Sequence, residues 1–199
     1  CQLHFNGMWA FALWDRQEKQ LFLSRDRFGV KPLMYFFDGK HFAFASEMKA
    51  FLALDWFSAE FDPEMVAAAL TSHQNVEGTE RCLLHDLNRL LGGYCLTINQ
   101  KGDLKKRRWW NTLDHMETVP VLYDDQVERY RELFLDACRI RMRSDVPIGT
   151  ALSGGLDSSS IVCGMRHIRD AGNAGDRLAG DWQRAFVATY PGSIIDERK

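Results

Sequence analysis

The sequence has no run of about 20 apolar residues, the length a helix needs to cross a bilayer, so a membrane-spanning helix is excluded. No charged segment followed by an apolar stretch opens it, and no signal peptide is visible. Charge of one sign is missing too: 25 Lys and Arg face 27 Asp and Glu, a net −2. No general attraction to nucleic acid or to an anionic membrane follows from that balance. The one basic run, residues 105–108, reads as a solvated turn or strand end. Cysteine is sparse and scattered, at Cys1, Cys82, Cys95, Cys138 and Cys163, with no CxxC and no Cys/His ligand spacing. Neither a disulfide framework nor a metal centre is expected, and the cysteines read as reduced, mostly core residues of a cytoplasmic protein. The six histidines show no ligand spacing either. Internal repeats and low-complexity tracts are absent.

Lysine is missing from the whole interval between Lys106 and Lys199. That gap bears on the most informative stretch, Ser153-Gly154-Gly155-Leu156-Asp157-Ser158-Ser159-Ser160. Residues 145–152 ahead of it are short, largely apolar and opened by a proline, as in a buried strand. Residues 161–168 continue as a helix that Gly172 could end. Strand, tight glycine-rich loop and helix together make a phosphate cradle. Two glycines admit a ligand close to the backbone, amides and the positive helix end face an anion, and three hydroxyls add donors. A Walker-type P-loop is ruled out, because it needs a lysine directly before its Ser or Thr.

A chain of 199 residues, 46% apolar and 26% charged, has room for one large or two small globular domains. Residues 7–15 and 21–24 read as paired strands, apolar enough to suggest cover on both faces. A charged connector, residues 25–33, follows; Arg25, Asp26, Arg27 and Lys31 read first as buried salt bridges tying a loop to the sandwich, and second as residues shaping a binding site or the domain interface. Residues 33–37 and 41–45 flank Asp38-Gly39, a hairpin signal, and 47–54 a short helix. Asp62-Pro63-Glu64 is a helix start with its N-cap. Residues 94–98 and 107–110 bracket another hairpin. The irregular stretch 111–123 carries the domain boundary. Residues 124–143 read as one amphipathic helix, with Val127, Tyr130, Phe134, Ala137 and Cys138 on its apolar face. Residues 172–184 read as a surface loop, and 185–190 as a strand parallel to the one before the Ser153 loop.

Two separated pieces resemble one family. Gly-Met-Trp-Ala-Phe-Ala-Leu-Trp-Asp at 7–15, Ser-Arg-Asp-Arg-Phe-Gly-Val-Lys-Pro-Leu at 24–33 and Ala-Ser-Glu-Met-Lys-Ala at 45–50 look like the later half of a class II glutamine amidotransferase domain. Ser-Asp-Val-Pro-Ile-Gly at 144–149, the Ser153 loop and residues 186–197 look like the start of a synthetase domain. In this order they resemble glutamine-hydrolysing asparagine synthetase of the bacterial type. The resemblance implies an α/β and α+β chain. Its residues 1–115 would be the C-terminal part of an Ntn-type α-β-β-α sandwich. Residues 120–199 would begin a Rossmann-like ATP pyrophosphatase (adenine nucleotide hydrolase-like) domain.

The implied reaction makes asparagine from aspartate and glutamine through a β-aspartyl-AMP intermediate, releasing AMP and pyrophosphate, with ATP and Mg²⁺. Small molecules, not nucleic acid or membrane, would be its partners, and the parent could be a homodimer. Ser153, Gly154, Gly155, Asp157, Ser158 and Ser159 match the pyrophosphate-holding motif. Leu152 matches a position that touches adenosine through its backbone. Ala188 matches the following strand's adenine-site position, where the family often has Val or Ile. On the second reading of Arg25, Asp26, Arg27 and Lys31, the site they would shape is the glutamine side. Cys1 is not the family's glutaminase nucleophile: Gln2 and Leu3 follow where Gly is expected, and Gly7 opens a segment deep within the domain. The nucleophile is expected upstream. A β-lactam synthetase-like or peptide-cyclising relative, and a non-catalytic nucleotide-binding remnant, stay open as alternatives.

Overall fold

Alternating apolar residues build two antiparallel sheets in the first part of the chain. A computed structural model describes residues 1–72, 74–172 and 181–193. Strands β1 (Ala10–Asp15), β2 (Gln20–Arg25), β6 (Tyr94–Asn99) and β7 (Leu104–Arg108) form one sheet in the order β1-β2-β6-β7. The other holds β3 (Met34–Phe37), β4 (Phe42–Ala45) and β5 (Leu87–Arg89), in the order β4-β3-β5. The expected hairpins are present: β1 pairs antiparallel with β2, β3 with β4, and β6 with β7.

The period-2 pattern sorts the β3 side chains to two sides. Leu33 and Tyr35 pack with Leu23, Leu90, Leu96 and Ile98 in a core shared by both sheets. Met34 and Phe36 turn the other way, onto Phe51, Cys82, Leu84 and Leu87. This mixed α/β arrangement is consistent with the Ntn-type amidotransferase domain that the resemblance implies. The chain separates into two units by its internal contacts, Cys1–Met116 and Glu117–Lys199.

Several expectations for the first unit need correction. Strand β1 is not covered on both faces: Leu13 and Trp14 are 57% and 48% exposed, because β1 is a sheet edge that no described element covers. The helix expected at 47–54 is a 3-10 turn, Met48–Ala53. The strand expected at 107–110 is β7, Leu104–Arg108, so the basic run lies within an exposed edge strand. Helix α1 (Pro63–Thr71) starts as expected, with the Asp62 carboxylate accepting from the Glu64 and Met65 amides. The short α2 (Gln74–Glu77) follows.

The charged connector ties a loop down, but not through salt bridges. Asp26 is 1% exposed, and its carboxylate accepts from the amides of Phe28, Val30 and Lys31. Arg25 donates to the carbonyls of Lys31, Leu90 and Gly29. Burial, and then the nearby Arg89, pull its guanidinium below the ordinary arginine value. Backbone groups are the partners because a chain reversing within five residues leaves its amides and carbonyls without ladder partners.

In the second unit, α3 (Tyr123–Arg141) and α4 (Leu156–Asp170) pack around Cys138, Met142, Met165, Ile168 and Trp182. The buried stripe of α3 differs from the expected one. Phe134 and Cys138 join this core, whereas Val127 and Tyr130 are 47% and 71% exposed, since α4 meets only the C-terminal turns of α3. Gly164 permits that contact: a Cβ there would lie 3.1 Å from the Phe134 ring. Strands β8 (Ile148–Ala151) and β9 (Gln183–Phe186) pair in parallel, as expected. Strand β8 is only half-buried, because its sheet has two strands and nothing described covers its outer side. The second strand lies at Gln183–Phe186 rather than 185–190. Of the loop expected at 172–184, residues 173–180 lie outside the described residues, and Trp182 is buried, with Arg169 over its ring.

Cys82, Cys95 and Cys138 are buried, in line with a mostly core set, whereas Cys1 and Cys163 are exposed; all five are free thiols.

Candidate nucleotide loop

The chain leaves β8 at Ala151 and enters α4 at Leu156, with only four residues between them. The Leu152 amide still belongs to the strand pair, donating to the Phe186 carbonyl at 2.9 Å. Gly154 then takes φ +74°, a left-handed conformation that a residue with a Cβ adopts only under strain. Gly155 is the N-cap of α4 and provides no side-chain cap. The amides of Gly154, Gly155, Leu156 and Asp157 have no hydrogen-bond partner among the described residues. Free amides at the start of a 15-residue helix add to the positive end of its dipole. Such an end attracts anions.

The serines divide into two roles. Ser158 folds the loop on itself: its hydroxyl accepts from the Ser153 amide at 3.2 Å and donates to the Gly155 carbonyl at 3.3 Å. The Ser153 and Ser158 hydroxyls lie 3.1 Å apart. Ser159 is half-buried on the first turn, and its amide bonds the Gly155 carbonyl. The latch made by Ser158 was not foreseen; its only sequence signal is a second serine five positions after Ser153.

Asp157 is exposed in the first turn of α4. A carboxylate there interacts favourably with the helix end but opposes a bound phosphate. It therefore suits a divalent cation shared with the phosphates. Among the described residues no group of three or more His, Cys, Asp and Glu side chains could hold a metal by itself. The structure thus brings Leu152, Ser153, Gly154, Gly155, Asp157, Ser158 and Ser159 together on one strand–helix turn. Ala188 is not on a strand: β9 ends at Phe186, and Ala188 lies exposed in the segment beyond it. Cys1 is exposed and precedes a 3-10 turn, Gln2–His4.

Comparison with known proteins gives a consistent pattern. The glutamine amidotransferase domain family model matches residues 1–110, and the asparagine synthase family model matches residues 129–198. A putative glutamine-hydrolyzing asparagine synthetase of Methanocaldococcus jannaschii is 36% identical over 173 residues, covering 85% of this chain and 33% of the relative. A glutamine-hydrolyzing asparagine synthetase of Bacillus subtilis is 38% identical over 163 residues, covering 81% and 26% respectively. A protein of Gibberella zeae named Amidase chry2 is 31% identical over 202 residues, covering 98% and 29%. The chain spans a third or less of each of these relatives.

Proposed function

The chain belongs to the family of glutamine-hydrolysing asparagine synthetases, and from that premise we propose that its protein is an ATP-dependent amide ligase making asparagine from aspartate and glutamine. Residues 1–115 are read as the C-terminal part of the amidotransferase sandwich. Residues 120–199 are read as the start of a Rossmann-like ATP pyrophosphatase domain. The proposed reaction is assigned to the cytoplasm. Separately, no helix among the described residues is long and apolar enough to cross a membrane.

The observation that carries the reading is the set of unpaired amides at Gly154, Gly155, Leu156 and Asp157, presented by a strand–helix turn. They would grip the β- and γ-phosphates of ATP. The aspartate side-chain carboxylate attacks the α-phosphorus, the bond to the bridging oxygen breaks, and pyrophosphate leaves. Loop amides and the Ser153 and Ser159 hydroxyls stabilise the charge that gathers on it. Ammonia released from glutamine then displaces AMP from β-aspartyl-AMP. Mg²⁺ would enter with ATP, with Asp157 helping to hold it, and supplies charge neutralisation. Leu152 has its amide committed to Phe186, so its carbonyl is the group left to meet adenosine. Ala188 is kept as an adenine-site residue. The glutaminase nucleophile is not assigned to Cys1.

Exchange of labelled pyrophosphate into ATP tests the reading on the product of the complete reading frame. Exchange that requires aspartate is expected. Nucleotide binding without aspartate-dependent exchange would sink the acceptor assignment, and absence of binding would sink the site.

A further inference from the structure

Arg27 belongs to the charged connector, yet it points away from the buried Arg25–Asp26 network. Its guanidinium lies 4.5 Å from the ring centroid of Trp110, 5.6 Å from that of Trp109 and 5.9 Å from that of Trp9. Its Nη1 donates to the Phe5 carbonyl at 2.6 Å. Trp9 and Trp109 stack at 5.6 Å and 25°, and His115 stacks on Trp110 at 3.9 Å and 8°. One cation thus gathers three indoles from two segments more than ninety residues apart in sequence.

The second segment is fixed to the sheet at one end only. The Trp109 and Trp110 amides donate to the Gly93 carbonyl, and the Trp109 indole donates to the Arg25 carbonyl. Beyond Trp110, the side-chain hydrogen bonds of residues 111–115 stay within residues 108–115: Arg108 to Asn111, Trp110 to Thr112, and Asn111 to Asp114. Leu113 and Met116 are 74% and 68% exposed. Trp110 is held to the body of the unit by its amide on the Gly93 carbonyl, by Arg108, which also bonds Asn111, and by its ring on Arg27; of these, only the ring contact reaches the 26–31 loop and Trp9. Trp9 has a second role, since with Met8, Ala10, Lys31, Pro32 and Ser46 it lines an open cleft of about 440 Å³.

We propose that Arg27 is the clasp of a detachable strap, residues 110–116, and that its release is transmitted through Trp9 to the wall of this cleft. A guanidinium suits the task, because it is planar, weakly hydrated and permanently charged, and lies flat on indole faces. Lysine would keep the charge but lose both the planar overlay and the fixed fork that reaches Phe5.

The test uses the whole chain with Arg27→Met and Arg27→Lys. Chymotrypsin cleavage at Leu113 and Met116 reports strap opening, because cleavage tracks the open population when reclosing is fast. The exciton couplet of the Trp9–Trp109 stack in far-ultraviolet circular dichroism reports the cleft wall. For Arg27→Met, cleavage about tenfold faster is expected, equivalent to about 1.4 kcal/mol. The couplet should be lost and the denaturant midpoint little changed. Arg27→Lys should be about threefold faster (about 0.7 kcal/mol), and it decides the matter alone if the methionine variant does not fold. An unchanged cleavage rate in a folded variant overturns the clasp. So does a rise matched by equal acceleration at sites throughout the chain. An unchanged couplet alongside faster cleavage overturns the coupling to Trp9.

Discussion

Two glycine-containing loops of this chain meet opposite demands. Residues 26–31 form a loop whose polar groups turn inward: the Asp26 carboxylate takes three loop amides, and Arg25 takes two loop carbonyls and that of Leu90. Residues 152–157 form a loop whose amides at Gly154, Gly155, Leu156 and Asp157 are left unpaired, with one serine pair closing its base. Both have acids, glycines and a tight reversal. The difference lies in whether the acid sits at 1% exposure under its own loop, as Asp26 does, or faces solvent, as Asp157 does. A loop that satisfies itself is a structural element. A loop that leaves a row of donors open at a helix end is suited to an external anion.

The contrast breaks most visibly at Asp26. Asp26→Ala strands three amides and removes the opposite charge beside a buried guanidinium, so unfolding of the first unit should become easier by about 3–4 kcal/mol. Urea denaturation followed by tryptophan fluorescence measures this. A loss under 1 kcal/mol would mean that water replaces the carboxylate and the loop is not self-supporting. Gly92→Ala comes next. A Cβ there would sit 2.6 Å from the Gly29 nitrogen and 2.7 Å from the Phe28 carbonyl carbon, both backbone atoms of that loop. Overpacking against backbone should cost about 2–3 kcal/mol, read in the same melt.

The Ser153 loop should respond in the reverse sense. Gly154→Ala forces a Cβ into φ +74°, costing about 1–2 kcal/mol of local stability while disrupting the amide array. Asp157→Asn touches no internal partner and should change stability by less than about 0.5 kcal/mol. The same variant should weaken Mg²⁺-dependent ATP binding at least about tenfold, about 1.4 kcal/mol, in titration calorimetry. Equal losses of stability and affinity in Asp157→Asn would place it with Asp26, as a residue that holds its own loop.

Much of this contrast was legible in the sequence, and the failures have physical causes. The hairpins, the Asp62 cap and the strand–loop–helix around Ser153 follow from local chemistry: turn residues, a capping carboxylate, glycines before a helix. What local chemistry does not encode is which face a partner will cover. Leu13 and Trp14 carry a core-like pattern yet lie exposed on an edge strand, and Val127 and Tyr130 keep a helical stripe that α4 never reaches. Long-range pairing was invisible for the same reason. Arg25 finds Leu90, and Gly92 meets Phe28, across more than sixty residues, so a charged connector suggested ion pairs where the fold supplies carbonyls. Beyond β9, placing Ala188 on a strand overestimated how far that strand runs, since apolar content continues past the last paired residue, Phe186.

The smallest effect concerns pH and extends the self-satisfying pattern to Asp62. Its carboxylate caps α1 and accepts from Arg81 through both Nε and Nη2. Hydrogen bonding from Arg81 is the main cause holding its carboxyl below the ordinary aspartate range. A depressed folded-state pKa contributes stability that is present above the unfolded value, roughly 3.9, and is lost as pH falls through the folded value. Arg81→Met should therefore weaken the first unit at neutral pH, and the gap to the unaltered chain should close as pH falls below roughly 4. The Arg81 side chain is half exposed, so added salt should shrink the neutral-pH gap as well. A gap that stays constant from neutral to acid would assign Arg81 to packing against the sheet rather than to the Asp62 charge. The two amides donated by Glu64 and Met65 would then hold the cap without it.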